Sequence, residues 1–550
     1  MNDDRTRSDG LVEGNSNVVQ PGWGALSDEP HCSGDACPSA DGKGAFENPA
    51  PSYPELPPLE PSASHTICVE VSALKSRKVI PFKVSGAEDF WSSEFVKMPF
   101  SNHSTQTRTK PFLRSVEVKR WKVIKQALDK AMFETTRHLE DAIKEYNQKY
   151  AHDWKFSGLH RHFDQLHESE CQYLLRNLLP AMAKLALRLP ELCSKPIPLL
   201  KEQRAHAITM SQEQAACLLA NAFFCTFPHR NSTHPNAEYG NFPNINFSRL
   251  FVCGSPRTSQ KLKAIFCYFS KVTEAVPKGL VTFQRCCLNA PIVWKRSARK
   301  LRQLRVNSEG RIEEEEGKLQ VDFASPMVGG GVLGTGLVQE EIRFLINPEL
   351  ILARLFTEKL APNECLVVTG AQRYSEYEGY SDSYRWLRYH NDETARDTWL
   401  RCRTEIVAID AVKFENCMDQ YKTCFLDREL HKAYCGFSAE DRVISNSYKP
   451  AVVTGNWGCG AYRGDPELKA LIQLMAAAQA ERDVVYFTFG DTALEGSLRE
   501  LHQLLQRKEV TVGQLYEVLE RYSRKVSGLS EGRDLYQFIL SNVGCLKGRI

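Results

Sequence analysis

The chain has 550 residues, enough for roughly two to four domains with a sizeable buried core. Hydrophobic residues make up 42% of it and charged residues 25%, the composition of an ordinary soluble globular protein. The 70 basic and 67 acidic residues leave a net charge of +3, so the overall charge gives no reason to expect a nucleic acid or an anionic membrane as the partner.

Residues 1–64 are predicted to form a disordered tail. They are rich in Gly, Ser, Asp and Asn and end in a run of prolines, a composition that buries too little apolar surface to offset the entropy lost on folding. The opening MNDDRTRSDG is polar and does not resemble a signal peptide, so we expect a nuclear or cytoplasmic protein that is not secreted. The 18 cysteines include no C-x-x-C pair and are expected to be reduced thiols, and Cys32 and Cys37 in the tail make a poor zinc site.

Residues 65–195 are predicted to form a mainly helical accessory region. The predicted elements, in chain order, are β-like runs at 66–71 and 78–84 and helical blocks at 116–150 and 169–192. Charged residues and prolines interrupt the second helical block, so it is not expected to span a membrane. Pro196 and Pro198, which follow it, are typical of a junction between domains.

Residues 196–550 are predicted to form an α/β domain. Short apolar runs alternate there with helical stretches, notably PELKALIQLMAAAQAER at 466–482. Such alternation favours a mostly parallel or mixed sheet that is covered by helices on both faces. The predicted strands are LVTFQR (280–285), KLQVDFA (318–324), ECLVVTG (364–370), EIVAIDAV (405–412) and DVVYFTFG (483–490).

A glycine-rich loop, VGGGVLGTGLV, follows the predicted strand at 318–324 and precedes a helix that starts QEEIRFLI. A lysine-bearing phosphate loop is excluded because no Gly-Lys-Ser/Thr follows the glycines, and a dinucleotide site is weakly supported because Gly334-x-Gly336 lacks the third glycine. Two interpretations remain open. The loop is either a tight structural turn or a cradle in which backbone N–H groups and a helix N-terminus bind a diphosphate.

Two adjacent carboxylates, Glu340 and Glu341, begin this helix. Because adjacent helical residues point about 100° apart, the two cannot do the same job: one could hold sugar hydroxyls while the other donates a proton. Acidic residues in the first turn also stabilise a helix by ~0.3–1 kcal/mol through its dipole, which would explain both glutamates without any catalytic role. A working general acid would need burial or a nearby phosphate to raise its pKa.

A row of tyrosines and a cluster of basic residues each allow a structural and a functional interpretation. The tyrosines have the spacing of a helical core stripe, but the surrounding SEYEGYSDSY is polar, which argues against deep burial. KRSARKLRQLR at 295–305 could attract a polyanion, although an ordinary solvated surface is favoured. His160 and His162 lack partners at metal-ligand spacing and are expected to be structural. The tyrosines are Tyr374, Tyr377, Tyr380 and Tyr384.

GGG at 329–331 followed by QEE at 339–341 resembles the signature of the poly(ADP-ribose) glycohydrolase family. The resemblance covers roughly residues 65–548 and is to the animal, full-size form of the enzyme. It implies a macrodomain-type three-layer α/β/α sandwich with a mixed sheet at 196–550, preceded by a mainly helical accessory domain. Further matching motifs are TGAQRYSEYEGYSDSYRW (369–386), TGNWGCGAYRGD (454–465) and ERDVVYFTFGD (481–491).

The resemblance implies a glycohydrolase that cleaves the ribose–ribose (1''–2') O-glycosidic bonds of poly(ADP-ribose) and releases ADP-ribose. In that assignment Glu341 is the general acid that protonates the departing ribose 2′ oxygen and, once deprotonated, activates water. Glu340 is expected to hold ribose hydroxyls, and Asp322 matches the third acidic site residue. A non-catalytic reader of ADP-ribose is the alternative, and the intact pair of glutamates argues against it.

The resemblance also implies an ADP-ribose pocket around these acids. Tyr380 is expected to stack on adenine, with Phe489 completing the pocket, and such stacking is worth roughly 1–3 kcal/mol per base. Asn456 and Tyr462 are expected near the terminal ribose. The substrate-binding residues that the resemblance implies are Ile312, Glu313, Ser325, Gly329, Gly330, Gly331, Gln339, Tyr380, Asn456, Tyr462 and Phe489.

Three positions depart from the family pattern: Ser325 stands where Asn is common, and Tyr462 and Arg463 stand where Phe and Gly are usual. The resemblance implies no metal and no cofactor. The partners that it implies are poly(ADP-ribose), ADP-ribose and poly(ADP-ribosyl)ated proteins, with neither sequence-specific nucleic-acid binding nor a membrane.

Overall fold

The computed structural model describes residues 55–84, 89–108, 116–129, 133–232, 234–438, 449–527 and 534–543. Most of the predicted tail, with Cys32 and Cys37, lies outside the described residues. The strands of the described residues are β1 (His65–Ile67), β2 (Thr105–Arg108), β3 (Val116–Lys119), β4 (His206–Ser211), β5 (Leu280–Cys287), β6 (Leu304–Asn307), β7 (Leu319–Ala324), β8 (Glu364–Thr369), β9 (Ser375–Glu378), β10 (Arg385–Tyr389), β11 (Glu405–Asp410), β12 (Val452–Gly455) and β13 (Val484–Phe487).

Nine of the described strands form one mixed sheet in the order β1-β4-β5-β8-β11-β7-β12-β13-β6. The half from β11 to β6 is parallel throughout, whereas β5 and β8 run antiparallel to their neighbours. All five strands predicted from the sequence between 280 and 490 belong to this sheet, and strand β5 is buried at every position, as expected of a strand covered on both faces. The parallel half brings the carboxyl ends of β7, β12 and β13 to one edge.

Helices cover both faces of the sheet. One face packs against α9, α11 and α12, and the other packs against the helices from α14 to α18, each through its own apolar core. The predicted three-layer α/β/α sandwich with a mixed sheet is therefore confirmed. The α-helices of the described residues are α1 (Val71–Leu74), α2 (Arg120–Asp129), α3 (Thr136–Glu145), α4 (Gln148–Ala151), α5 (Ser157–Asp164), α6 (Glu168–Tyr173), α7 (Leu179–Leu187), α8 (Leu189–Leu192), α9 (Gln212–Phe223), α10 (Ser248–Val252), α11 (Pro256–Glu274), α12 (Gln339–Ile346), α13 (Ala353–Phe356), α14 (Thr423–Phe437), α15 (Pro466–Gln479), α16 (Thr492–Arg507), α17 (Val512–Val526) and α18 (Leu535–Val543).

The helical accessory region packs directly on the helices of the sandwich. Helix α7 contacts α9, and α5 contacts α11, so the apolar residues of this region join one continuous buried cluster with a sheet face. The prediction of helix from residue 116 is wrong at its start, because residues 116–119 form β3 and pair antiparallel with β2. Of the two β-like runs, the first gives only β1, and residues 78–84 form no strand. In both places pairing with a neighbour, rather than local pattern, decides the structure.

Residues 55–64, the end of the predicted tail, contact the folded chain. Leu59 is buried in a small cluster with Trp399, and the Trp399 Nε1–H donates a hydrogen bond to the Pro57 carbonyl at 2.8 Å. Proline loses little conformational entropy on folding because its φ is already fixed, so a few apolar contacts hold this segment. The division of the chain at residues 64 and 195 stays a prediction.

Local signals position the helices that carry the site. Helix α11 begins after Ser255, whose Oγ accepts a first-turn N–H at 3.3 Å, with Pro256 in its first turn. Helix α15 begins in the same way with Asp465 and Pro466. Helix α12 follows the glycine-rich loop without a side-chain cap, and its first turn carries the two predicted acids. The predicted strand, loop and helix at 318–346 are confirmed.

The basic residues at 295–305 are largely taken up by ion pairs with surface acids, which supports the interpretation of this cluster as an ordinary surface. The pairs include Lys295 with Glu520 (3.0 Å), Lys300 with Glu509 (2.7 Å) and Arg302 with Asp483 (3.2 Å). Among the described residues, none of the helices combines the length and the apolar character that crossing a membrane requires.

Candidate active site

A cavity of about 1080 Å³ opens at the carboxyl ends of β7, β12 and β13. Its walls include the glycine-rich loop with the first turn of α12, the loop that follows β12, and Phe489 after β13. Parallel strands deliver their following loops to one edge, which is where α/β sheets commonly bind ligands. The predicted site residues that line this one cavity are Ile312, Glu313, Ser325, Gly330, Gly331, Gln339, Glu340, Glu341, Tyr380, Asn456, Tyr462 and Phe489.

The glycine-rich loop requires glycine where it approaches the two acids. Gly329 and Gly330 have φ angles of +80° and +42°, which other residues rarely adopt. A Cβ on Gly330 would lie 2.6 Å from a Glu340 oxygen and 2.5 Å from a Glu341 oxygen. A Cβ on Gly336 would lie 2.5 Å from the same Glu341 oxygen. Because these glycines have no side chain, both carboxylate groups can pack against the loop.

Each of the two glutamates is held by two backbone N–H groups, but at different places along the loop. Glu340 is bound near the start of the loop, close to the end of β7, and Glu341 is bound in the middle and at its end. This separation supports the expectation that the two carboxylates have different tasks. The four bonds run from Ser325 N–H to Glu340 Oε2 (2.9 Å), Gly329 N–H to Glu340 Oε1 (2.6 Å), Gly331 N–H to Glu341 Oε1 (2.7 Å) and Val338 N–H to Glu341 Oε2 (2.8 Å).

These bonds weaken the prediction that the loop at 328–338 is a diphosphate cradle. The N–H groups of Gly329 and Gly331 are engaged by the glutamates, so this loop first serves to hold the acids. A second glycine-rich loop, GNWGCG at 455–460, follows β12; the N–H groups of its Gly458 and Gly460 have no acceptor among the described residues, and Gly458 has a φ of +75°. The loop after β12 is thus the better placed of the two to bind a diphosphate. Phosphate binding by residues 329–331 stays a prediction.

Two buried cations bind the carbonyl groups of the glycine-rich loop at 328–338. Lys261, on α11, donates to the carbonyls of Gly331 (2.9 Å), Val332 (3.0 Å) and Gly334 (2.8 Å) and also to that of Gly336. Arg354, on α13, donates to the carbonyls of Val328 (2.8 Å) and Gly330 (3.1 Å). Because the carbonyls point to these cations, N–H groups of the same loop are free to face the glutamates.

Neither cation was predicted from the sequence. Lys261 is fully buried, and it lies one helical turn before Ile265 on the apolar face of α11. A lysine at a position of the apolar period was the available signal. Burial lowers the pKa of Lys261 to about 7, and the neighbouring Glu341 acts in the opposite direction.

The buried acids and cations at the site are balanced in number. Asp322, Glu340 and Glu341 are three buried carboxyls, and the three buried cations that interact with them are Lys261, Arg343 and Arg354. Burial, with the neighbouring carboxyls, raises the pKa of Glu340 well above its usual range. Burial likewise raises the pKa of Asp322 to about 8, with Arg343 opposing the shift.

Asp322 and Gly329 are the two predicted site residues that do not line the cavity. Asp322 is fully buried in β7, and neither of its carboxyl oxygens has a hydrogen-bond partner within the described part of the chain. Gly329 lies behind Glu340, to which its N–H donates. Asp322 therefore does not touch the contents of the cavity, and it interacts with Glu340 and Glu341 electrostatically.

The cavity also carries two exposed aromatic rings. Tyr380 is 54% exposed and Phe489 is 49% exposed, and both line the cavity, so their rings are accessible to whatever it binds. Ile312 is buried nearby, and Glu313 accepts a hydrogen bond from the Tyr377 hydroxyl at 2.7 Å. Two flat rings and an apolar neighbour are what a stacked base requires.

The row of tyrosines does not form a helix. Strand β9 and a short 3-10 turn at 381–383 carry most of it, and the rings do not share one face: those of Tyr377 and Tyr384 stack with centroids 5.5 Å apart, and Tyr374 packs against Tyr268. Tyr374 and Tyr384 are buried, whereas Tyr380 is exposed at the cavity. The interpretation of this row as a helical core stripe is therefore wrong, because strand pairing with β10 sets the local structure.

The end of the cavity that the resemblance assigns to the terminal ribose lies between the two glycine-rich loops. The Asn456 amide donates to the Thr488 carbonyl at 3.1 Å and accepts from the Tyr486 hydroxyl at 3.0 Å, so its orientation is fixed. Tyr462 is half-buried beside Ser325, and burial and the charge of Glu340 raise the pKa of its hydroxyl. Two of the positions that depart from the family pattern, Ser325 and Tyr462, are therefore neighbours.

The histidines that the sequence marked as structural have structural partners. His160 contacts Thr136 and Glu140, and His162 is buried beside Ser259 at 2.9 Å. Within the part of the chain that the structure describes, no three His, Cys, Asp or Glu side chains are placed to hold a metal ion.

Comparison with known proteins assigns the chain to a family. It is 33% identical over 479 residues to poly(ADP-ribose) glycohydrolase 1 of Arabidopsis thaliana, an alignment that covers 72% of this chain and 86% of that protein. The chain belongs to the poly(ADP-ribose) glycohydrolase family. It is also 33% identical over 363 residues to poly(ADP-ribose) glycohydrolase 2 of Caenorhabditis elegans, covering 62% of this chain and 74% of that protein.

Two family models of poly(ADP-ribose) glycohydrolase match consecutive parts of the chain. The model described as the helical domain matches residues 166–285, and the model described as the macro domain fold matches residues 292–496. All the predicted site residues lie within the second match, whereas Lys261 lies within the first. In this glycohydrolase the site is therefore built from both matched parts.

Asp322→Asn is expected to gain thermal stability relative to the wild type as the pH rises. The folded protein keeps a proton on Asp322 up to about pH 8, whereas the unfolded chain releases it near pH 4. The stability that comes from this proton is complete below the unfolded pKa and is lost as the pH rises through the folded pKa. Asn does not titrate, so the difference in Tm should move in favour of the variant between pH 5 and pH 8.

Thermal unfolding of both proteins across this pH range measures the effect. Asp153→Asn, at an exposed acid, is the matched control and should show no such trend. A difference in Tm that is independent of pH would mean that Asp322 is already ionised in the folded protein.

Proposed function

We propose that this protein hydrolyses the ribose–ribose (1''–2') O-glycosidic bonds of poly(ADP-ribose) and releases ADP-ribose. The observation that carries the proposal is the Glu340–Glu341 pair, held by backbone N–H groups in a cavity that also presents two exposed aromatic rings. Such a cavity combines aromatic rings on which a nucleobase can stack with the carboxyl groups that cleavage of a glycosidic bond requires.

In the proposed reaction, Glu341 donates a proton to the 2′ oxygen of the departing ribose as the bond to C1'' breaks. The electron pair of that bond leaves with the oxygen, and the ribose develops oxocarbenium character that a substrate phosphate can stabilise. Glu341, now ionised, removes a proton from a water molecule as the oxygen of that water adds to C1''. The balance is one water consumed, with its hydrogen on the 2′ oxygen and its hydroxyl on C1''.

Glu340 is proposed to hold the ribose hydroxyls. Its two oxygens are fixed by the N–H groups of Ser325 and Gly329. Its position relative to Glu341 is therefore set by the glycine-rich loop at 328–338, called the catalytic loop from here on, rather than by the substrate. Burial and the neighbouring carboxyls raise the pKa of Glu340, and burial raises that of Asp322, shifts that limit the repulsion among the three carboxyls.

A non-catalytic reader is the less favoured alternative. Burying carboxyl groups is unfavourable unless they are paired, and this protein places three of them, with three buried cations, beside its cavity. A protein that only binds ADP-ribose would gain nothing from that arrangement. We propose that poly(ADP-ribosyl)ated proteins carry the polymer to this site, in the nucleus or the cytoplasm.

Incubation of the full chain with purified poly(ADP-ribose), followed by anion-exchange chromatography of the products, tests the proposal. Free ADP-ribose is expected, without added metal or cofactor and in the presence of EDTA. Binding of ADP-ribose without its release from the polymer would establish a reader. Activity lost to EDTA and restored by zinc or magnesium would contradict the metal-free reaction.

A further inference from the structure

One arginine, Arg257, forms hydrogen bonds with two separate segments that line the cavity. Its Nη1 donates to the carbonyl of Thr335 in the glycine-rich loop at 3.0 Å. Its Nε donates to Asp382 at 2.8 Å, and its Nη2 donates to the Ser381 hydroxyl at 3.0 Å. Ser381 and Asp382 directly follow Tyr380, so a single guanidinium joins the loop that holds the acids to the segment that carries the exposed ring.

The position of Arg257 is unfavourable for a helix and therefore calls for another explanation. It lies in the first turn of α11, where a positive charge opposes the helix dipole. The ion pair with Asp382 does not offset this, since the Asp382 side chain is 87% exposed and such pairs contribute little. The three bonds together fix the planar guanidinium, and that geometry is specific to arginine.

Tyr380 needs such a support. Its ring is more than half exposed, and apart from the Gln339 N–H, which lies close to its hydroxyl, little holds it in place. Its neighbours Gly379 and Ser381 both have positive φ, at +71° and +54°, and the second is a strained conformation for a residue with a side chain. The bond from Arg257 to the Ser381 hydroxyl acts at the strained residue itself.

Helix α11 is a rigid base for this connection. Arg257 and Lys261 are one helical turn apart, and both donate to carbonyls of the same glycine-rich loop. The remainder of the helix is anchored by a long buried face, which includes Ile265 and Tyr268. The helix therefore holds the catalytic loop with two cations, and the first of these also reaches the segment after Tyr380.

We propose that Arg257 is a positioning residue that fixes Tyr380 relative to the catalytic loop, so that the base-stacking ring and the bond-cleaving carboxyls keep a constant separation. The inference rests on the proposed function, because it assigns the stacking role to Tyr380. Arg257 also lines the cavity, and in this proposal it acts on the reaction through Tyr380 rather than by binding the substrate with its own charge.

A double-mutant cycle on ADP-ribose affinity tests this inference. Tyr380→Ala is expected to weaken binding by about 5- to 150-fold, the equivalent of one stacked base. Arg257→Gln should give a part of that loss. The double variant should bind no more than about twofold more weakly than Tyr380→Ala alone, because the arginine has no ring left to position.

Two further variants separate position from charge. Arg257→Lys keeps the charge but loses the fork of bonds, and it should resemble Arg257→Gln rather than the wild type. Arg388→Gln removes an equal charge from the exposed face of β10 and should leave affinity unchanged.

If Arg257→Gln lowers the Tm, Ser381→Ala removes one bond of the same connection without altering α11 and should also weaken binding.

The inference is overturned if the two losses multiply in the double variant, if Arg257→Lys binds like the wild type, or if Arg257→Gln and Ser381→Ala both leave the affinity unchanged. Failure of the proposed function would look different. The wild-type protein would then release no ADP-ribose from the polymer, whatever the result of the cycle.

Discussion

Glu341→Gln is expected to lower the turnover of poly(ADP-ribose) by about 10²- to 10⁴-fold, the usual contribution of a positioned general acid. Gln keeps the size of the side chain and one acceptor oxygen, but it has no proton to donate to the leaving oxygen. ADP-ribose affinity should survive, because the aromatic rings and the second glycine-rich loop do not depend on that proton.

The substitution also has a structural effect that the measurement must separate. Both Glu341 oxygens accept a backbone N–H, from Gly331 and Val338, and the Gln amide would place its own N–H groups against one of them. A loss of stability of about 1–3 kcal/mol is expected from that mismatch. Denaturant unfolding and calorimetric affinity therefore accompany the rate measurement.

Glu340→Gln is the matched control, because the same chemical change is made one residue away, at a carboxylate that also accepts two backbone N–H groups. It should impair turnover through misplaced ribose hydroxyls. A substrate with an aryloxide leaving group on C1'', which departs without protonation, should lose much less rate than the polymer in Glu341→Gln, where only the base for water is then missing, whereas Glu340→Gln should lose as much on both substrates. Near-normal polymer turnover in folded Glu341→Gln would move the acid to another residue.

Lys261→Met is expected to lower turnover by about 10²-fold, although Lys261 touches no substrate. Met preserves the length and volume of the side chain but leaves the carbonyls of residues 331–336 without their donor. A displacement of the catalytic loop of about 1 Å costs about 10²-fold in rate, because the acids are bound to the same loop. The free energy of unfolding should fall by about 1.5–3 kcal/mol, the value of a hydrogen bond to a buried charge.

Lys263→Met is the control for this prediction, since it makes the same change on the same helix at a half-buried lysine. Its turnover should remain near that of the wild type. Rates on the polymer, ADP-ribose affinity and urea unfolding of the three proteins distinguish a displaced loop from a general loss of folding. Full activity of folded Lys261→Met would show that Arg354 and the glycines suffice to hold the loop.

The sequence by itself predicted the elements whose signals are local. A strand of alternating pattern, a run of glycines and an acidic first turn are each encoded within a few residues, so β7, the glycine-rich loop and α12 were found with nearly correct bounds. The adjacency of Glu340 and Glu341 was sufficient to predict that they differ in orientation. Resemblance of the motifs then supplied the roles, which no local signal contains.

The tertiary structure alone decided which partners these residues have. Residues 116–119 have a helical pattern and form a strand because β2 lies beside them. Lys261 is 70 to 75 positions from the carbonyls that it holds, and Arg257 is 78 positions from Thr335. The apolar period of α11 marks Lys261 as a buried position, but it does not show which carbonyls the lysine holds, because that depends on the packing of α11 against the loop. Propensity and spacing act over one or two turns, whereas burial, pKa shifts and the use of backbone N–H groups arise only when distant segments meet.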